Sequence, residues 1–461
     1  MGRDFVKALI DAGFQGILYP INPGGGEVLG LKIYTNIREI TGPVDYVISA
    51  IPAKHVLQLL ADCIAKRVKA IHLFTAGFGE IEGETGRQLQ SQILAIAKAN
   101  GIRLIGPNCM GLYSPKTGLS FARDLPNQGG FSKTAGQLSF ISQSGGNSIY
   151  CIRNANATGI YFSKVVSYGN AIDIDETDLL EYLSNDNDTK IIAAYIEGVK
   201  DGRRLINALK NITCIKPTII LKAGGTEEGT RAAASHTGAV AGSKVLWHYL
   251  LKQTGAIQAD SIDEIVDIAT LFLKIKAPQG RNAMIFGTGG GATVKAADDC
   301  TISGLKLPAI PGELRIELAR IFGSEAGNIF RNPLDLMPVL SDDELVQTLK
   351  MIADEDIVDM LILQVAFDTW SLMDKAYAIK LYINSTIRLK SLIDKPVIAV
   401  FHYVATDESD DLAKAHRAIL AEAGIPVFPS IQRAAKALNK FIQYDEQFVS
   451  HHQVVTQHGY Y

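Results

Sequence analysis

The chain reads as an α/β protein of parallel sheets covered by helices on both faces. Three observations predict this. Short runs rich in Val, Ile and Leu recur along the whole chain, helical segments lie between most of them, and the runs are apolar throughout instead of alternating. The expected strands are Gly16–Tyr19, Tyr46–Ala50, Ala70–Phe74, Arg103–Ile105, Leu138–Ile141, Val165–Ser167, Ile191–Tyr195, Thr218–Leu221, Met284–Phe286, Met360–Gln364 and Val397–Val400. Of the helices between them, one gathers Val56, Leu57, Leu60 and Ile64 on one face. The next gathers Leu89, Ile93, Ile96 and Ala97, with Gly101 as its stop. Connections between such strands are right-handed, and ligands bind at the carboxyl ends of the strands.

A length of 461 residues exceeds one ordinary domain and predicts three. Two polar, Gly/Pro-rich stretches, Leu125–Gly136 and Lys276–Asn282, are the expected boundaries, giving domains 1–128, 129–277 and 278–461. The 47% apolar and 20% charged content is that of a well-cored globular protein. A net charge of −3 leaves no electrostatic footprint for nucleic acid. No apolar run reaches the roughly 18 residues of a membrane span, and the start lacks the apolar core of a signal peptide. The five cysteines are scattered with no C-x-x-C pair, which points to reduced thiols in a cytoplasm and to no zinc site.

The chemistry concentrates in Arg231-Ala-Ala-Ala-Ser-His-Thr-Gly-Ala-Val-Ala-Gly242. Small residues let a phosphate approach the backbone closely, and a neutral imidazole, here His236, is a nucleophile near neutral pH. Two Gly-rich turns, Ile141-Ser-Gln-Ser-Gly-Gly-Asn147 and Phe286-Gly-Thr-Gly-Gly-Gly-Ala292, each follow a strand and open a helix. A helix start offers free N–H groups and a positive dipole end. Ser144, Gly145, Gly146, Gly289 and Gly290 are therefore the candidate phosphate-binding residues. Neither turn fits the P-loop pattern. Gln143 and Ser142 are candidates to face an acyl group. Asp173, Asp175 and Asp178 read as turn and helix caps, with no metal site expected. Lys222 reads as packing and surface charge, and Cys109 as a small residue filling a tight turn.

These residues resemble a family, the α subunits of NDP-forming acyl-CoA synthetases, relatives of succinyl-CoA synthetase. The resemblance rests on Tyr19-Pro-Ile-Asn-Pro23, Pro43-Val-Asp-Tyr-Val-Ile-Ser-Ala-Ile-Pro-Ala53, Gly106-Pro-Asn-Cys-Met-Gly111, Ser142-Gln-Ser-Gly-Gly146 and Ser167-Tyr-Gly-Asn170. It continues through Tyr195-Ile-Glu-Gly198, Lys216-Pro-Thr-Ile-Ile-Leu-Lys-Ala-Gly224, Ser235-His-Thr-Gly-Ala239 and Asn332-Pro-Leu-Asp335. It implies a Rossmann-type CoA-binding domain followed by two flavodoxin-like doubly wound domains. It implies acyl-CoA, phosphate and ADP becoming acid, CoA and ATP, with ATP and Mg2+ on an ATP-grasp β subunit and an α2β2 assembly. His236 matches the phosphorylated histidine. Glu197 matches the carboxylate that holds its imidazole, the orienting role that fixes a tautomer. Candidate CoA-binding residues are Asn22, Pro23, Ile51, Pro52, Thr75, Ala76 and Asn108, at the ends of successive strands.

The pattern departs from the family at the start. The chain begins inside the helix expected after the first strand, so that strand and its phosphate-contacting loop are absent and a gap or exposed edge is expected in the sheet. The stretch Asn22-Pro-Gly-Gly-Gly26 lacks a basic residue. A non-catalytic CoA-binding or scaffold protein of the same fold is the alternative reading. A nicotinamide dehydrogenase finds no support, since no G-x-G-x-x-G follows the first strand.

Overall fold

The computed structural model describes residues 2–457 apart from 82, 122–130, 230–242, 288–289, 323–328, 336–340, 367–374 and 403–405. The chain divides into two compact units, Met1–Val266 and Asp267–Tyr461.

The first unit opens with helix α1 (Gly2–Ala12) and an antiparallel hairpin, β1 (Gly26–Val28) with β2 (Leu31–Ile33). Three parallel strands follow in spatial order, β3 (Tyr46–Ser49), β4 (Ala70–Leu73) and β5 (Arg103–Ile105). Helices α2 (Val56–Lys66) and α3 (Glu84–Ala99) make the crossovers. Their expected apolar faces pack on the sheet: Val56, Leu60, Ile93 and Ala97 are buried with Ile71, Leu73 and Leu104.

A six-stranded sheet completes this unit: β6 (Gly111–Tyr113), β7 (Leu138–Ser142), β8 (Phe162–Ser167), β9 (Ile191–Ile196), β10 (Thr218–Lys222) and β11 (Ile257–Ala259). Its order is β11-β10-β9-β7-β8-β6, with β6 antiparallel to β8 and all other pairs parallel. All five residues of β7 are buried, as both-face coverage by α4 (Gly145–Ala157), α5 (Glu176–Ser184) and α6 (Gly202–Ile212) requires. On α6, Leu205, Leu209 and Ile212 recur at helical spacing and are buried, each contributing about 1.5–3 kcal/mol. Asp175 caps α5 in a capping box with Asp178, and Asp201 caps α6, each cap contributing about 1 kcal/mol.

The second unit holds five parallel strands, β12 (Ala283–Gly287), β13 (Leu334–Asp335), β14 (Met360–Ala366), β15 (Val397–His402) and β16 (Val427–Phe428), in the order β13-β12-β14-β15-β16. In chain order, both β7–β11 and β12–β16 follow the 2-1-3-4-5 arrangement of flavodoxin-like sheets, which reverses direction beside the first strand.

One expected strand is absent: Gly16–Tyr19 is not in a ladder, and Ile17 is 76% exposed. Among the described residues its neighbourhood makes only the isolated bridge Ile21–Tyr34. A β-prone run without an adjacent strand has nowhere to place its backbone hydrogen bonds. Four of the five thiols are buried, and burial pushes Cys63 and Cys300 up to about 12; Cys214, just after α6, is exposed. No described helix is long and apolar enough to cross a membrane.

Candidate active site

The carboxyl ends of β7 and β9 lie side by side, with Ser142 opposite Tyr195 in register. The turns that leave these two strand ends form the candidate site. After β7 the chain turns through Gln143 and Ser144 into α4. Ser144 is the N-cap of α4, its Oγ accepting from the N–H of Asn147 at 3.3 Å. Its own N–H donates to Ser142 Oγ at 3.1 Å, and that hydroxyl donates to the Ser144 carbonyl at 2.8 Å. Ser144 therefore does not supply a free N–H to an anion. Donation from this turn falls to Gly145 and Gly146, whose N–H groups at the first helical positions have no intrahelical acceptor. Gly145 is required by space: a Cβ there would lie 2.6 Å from Met110 Cγ.

After β9 comes Glu197, 5% exposed. Its backbone is held on every side. Gln143 Oε1 accepts from the Glu197 N–H and, at 3.0 Å, from the Gly198 N–H. Gln143 Nε2 donates to the Gly198 carbonyl at 3.1 Å. Lys222 Nζ, at the end of β10, donates to the Glu197 carbonyl at 2.8 Å and lies 5.4 Å from the centre of the Trp247 ring. Burial lowers the Lys222 pKa to about 8, with the charge of Glu197 acting the other way. Burial pushes the Tyr195 hydroxyl up to about 12, with the Glu197 charge adding to the rise. Tyr195 is thus neutral at physiological pH.

Two expectations change here. Gln143 and Ser142 do not face an acyl group: both are buried, and their polar atoms bond to neighbouring backbone. Lys222 packs over Trp247 as expected, but it is half-buried and its ammonium donates to the Glu197 carbonyl instead of standing as a free surface charge. His236 and Gly289 lie outside the described residues, and Gly290 is the first residue of the helix Gly290–Ile302.

The candidate CoA loops sit at the ends of β3, β4 and β5. Thr75 Oγ1 donates to the Ile51 carbonyl at 2.5 Å, and the Thr75 carbonyl accepts from the Asn108 N–H at 2.9 Å, so three of these loops are tied together. Pro52 and Ala76 are exposed beside them. Asn108 takes a left-handed φ of 58°, which Asn tolerates better than most residues. Asn22 and Pro23 are exposed in a separate turn, where Asn22 Oδ1 accepts from the Gly24 N–H at 2.9 Å. Sequence reasoning missed Glu80. Its carboxylate accepts from the N–H groups of Gly77 and Phe78 and from Asn170 Nδ2, shaping the Thr75–Phe78 turn. Burial pushes this carboxyl up, but those bonds outweigh it and the pKa is lowered.

The acidic run is structural. Asp173 bonds Arg103 Nε at 2.9 Å and the Leu104 N–H at 2.8 Å, while Arg204 reaches Asp175, Asp178 and Glu181. Cys109 is buried in its turn with its thiol pushed well up by burial.

Comparisons with known proteins bear on this arrangement. Residues 1–115 match the family described as CoA binding domain, and residues 135–272 the one described as succinyl-CoA ligase like flavodoxin domain. The α subunit of acetate–CoA ligase [ADP-forming] II from Pyrococcus furiosus is 36% identical over 93% of this chain and 90% of its own length. The α subunit of enzyme I from the same organism is 34% identical over 98% and 94%. Among solved structures, the dinucleotide forming acetyl-coenzyme A synthetase 1 of Ca. Korarchaeum cryptofilum, in complex with phosphate and ADP, has a TM-score of 0.80 at 28% identity. It covers 97% of this chain and 93% of that one.

Proposed function

The chain belongs to the family of ADP-forming acetate–CoA ligase α subunits, and on that premise we propose that it is the acyl-transferring and phosphoryl-carrying half of an acyl-CoA synthetase. Phosphate attacks the thioester carbonyl of an acyl-CoA, the C–S bond breaks, and CoA leaves as the thiol. The acyl phosphate passes its phosphoryl group to His236, releasing the carboxylic acid. Phosphohistidine then transfers the group to ADP, forming ATP and restoring the imidazole. Every step runs in both directions.

A single observation carries the reading: a buried carboxylate, Glu197, is fixed by its backbone beside the N-terminus of α4, in the sheet whose β10 leads into the Ser235-His-Thr-Gly-Ala239 run. A carboxylate held this way suits the orientation of an imidazole. Gly145 and Gly146 present N–H groups for the travelling phosphate, and Gly289 and Gly290 are assigned the same role in the second unit. CoA is assigned to Asn22, Pro23, Ile51, Pro52, Thr75, Ala76 and Asn108. ADP or ATP with Mg2+ is assigned to an ATP-grasp β subunit in an α2β2 assembly, in the cytoplasm. The domain limits 1–128, 129–277 and 278–461 are part of the same proposal.

The test is to purify the chain with its partner subunit and supply ATP, or acyl-CoA with phosphate, across a panel of acyl chains. Acid-labile phosphate on His236, lost in His236→Asn, is expected together with ATP formation. Tight acyl-CoA binding with neither phosphorylation nor ATP formation would reject the proposal.

A further inference from the structure

We infer that Gln143 is the positioning residue of the catalytic carboxylate: it acts on the reaction through Glu197 and does not touch the substrate. This rests on the assignment of Glu197 to the His236 imidazole. Four backbone groups of the Glu197–Gly198 turn have side-chain partners. Gln143 takes three of them, namely both N–H groups and the Gly198 carbonyl, and Lys222 takes the fourth. The Gln143 N–H itself donates to the Tyr195 carbonyl at 3.2 Å, so residue 143 grips β9 on both sides of Ile196.

The geometry excludes simpler roles. Gln143 is 5% exposed and its amide uses one acceptor and one donor inward, which leaves little of it for a ligand. It stands one residue before Ser144, the N-cap of α4, so the same two-residue segment sets the carboxylate and the start of the anion-binding turn. A carboxylate that must meet an imidazole on a separate loop gains from such a mount. A displacement of about 1 Å at a reacting centre costs on the order of 10²-fold in rate.

The experiment uses the full chain with its partner subunit. Gln143→Met keeps the side-chain length and removes both hydrogen-bonding atoms. Its expected result is a kcat lower by about 10- to 100-fold, with the KM for acyl-CoA unchanged within about twofold. In a Glu197→Gln background the same substitution should cost little more, because the residue acts through that carboxylate.

Gln143→Glu gives a second readout. Its protonated carboxyl still offers an acceptor to the two N–H groups and a donor to the Gly198 carbonyl; the ionised form has no donor. The deficit of this variant relative to wild type should narrow as pH falls from about 8 to about 5.5, a range into which burial raises a carboxyl. This variant keeps the test open if Gln143→Met does not fold. A raised KM at unchanged kcat, a loss that adds fully to that of Glu197→Gln, or a pH-independent deficit of Gln143→Glu would each overturn the inference. Full activity of Glu197→Gln alone would instead remove the reading on which it stands.

Discussion

The carboxyl ends of β7 and β12 have like settings and unlike neighbours. Each strand is the first of a 2-1-3-4-5 sheet and is followed by a 13-residue helix with glycine at its start. Beside the first, the glutamine at the strand end has its amide bonded to the neighbouring turn. Beside the second, Gln364 on β14, opposite Gly287 in register, is 4% exposed, and its Oε1 has no partner among the described residues. The two sheets share a strand order, and what separates these strand ends is whether the oxygen of the buried amide has a partner among the described residues. A spent amide fixes the turn that carries the Glu197 carboxylate. An unspent one carries a desolvation cost of about 1–3 kcal/mol until something bonds it.

Four measurements would break or sharpen this contrast. The largest effect belongs to the clamped turn: Glu197→Gln should slow His236 phosphorylation by about 10²-fold, read in single-turnover assays. A near-normal rate would mean that the rigid mount serves no chemistry.

Next is a group in the first unit that the clamping does not reach. Glu176, 2% exposed at the start of α5, has a pKa raised to about 7, chiefly by burial, with Asp175 and Asp178 adding to the rise and its own backbone N–H and Lys200 opposing it. The folded state holds this proton more tightly than the unfolded chain, whose value lies near 4.5. Stability from this group is therefore lost as pH rises from about 4.5 through about 7. Glu176→Gln should be more stable than wild type at pH 8, by up to about 3 kcal/mol, and equal to it near pH 4. Paired urea titrations across that range would show whether the gap opens.

The third measurement compares the two glutamines directly. Gln143→Met leaves the Glu197 and Gly198 N–H groups buried without acceptors and should destabilise by about 1–3 kcal/mol. Gln364→Met removes an unpartnered buried acceptor and should stabilise, by up to about 1–3 kcal/mol. Equal losses in thermal unfolding would erase the distinction.

The smallest effect concerns glycine. Gly145→Ala drives a methyl against Met110 and should cost about 1–3 kcal/mol. Gly291→Ala, in open space near the start of the second helix, should be neutral or stabilise by up to about 1 kcal/mol, checked by melting temperature.

The parts of this contrast legible in the sequence were those that repeat. Apolar runs such as Leu138–Ile141 and Ile191–Tyr195 announce buried parallel strands because both faces must be covered, and the helical faces of α2 and α3 follow from spacing alone. The place of Glu197 was legible because it follows the apolar run of β9; the role given to it comes from the family resemblance. The work of Gln143 was not, since its partners lie 54 and 55 residues away and are backbone atoms, which carry no residue signature. Lys222 and Glu80 were hidden for the same reason: both side chains bind peptide groups. Strands such as Leu334–Asp335 and Val427–Phe428 are too short to show a period. Gly16–Tyr19 has the propensity of a strand, but a ladder also needs a neighbour.

The uneven burial of sulfur gives the chain a built-in handle. With Cys214 at the surface and the remaining four thiols sealed in the interior, the native protein should take up one equivalent of maleimide dye without any engineered site. That dye would report on the first unit, and the other four sulfurs would become reactive only when the fold opens.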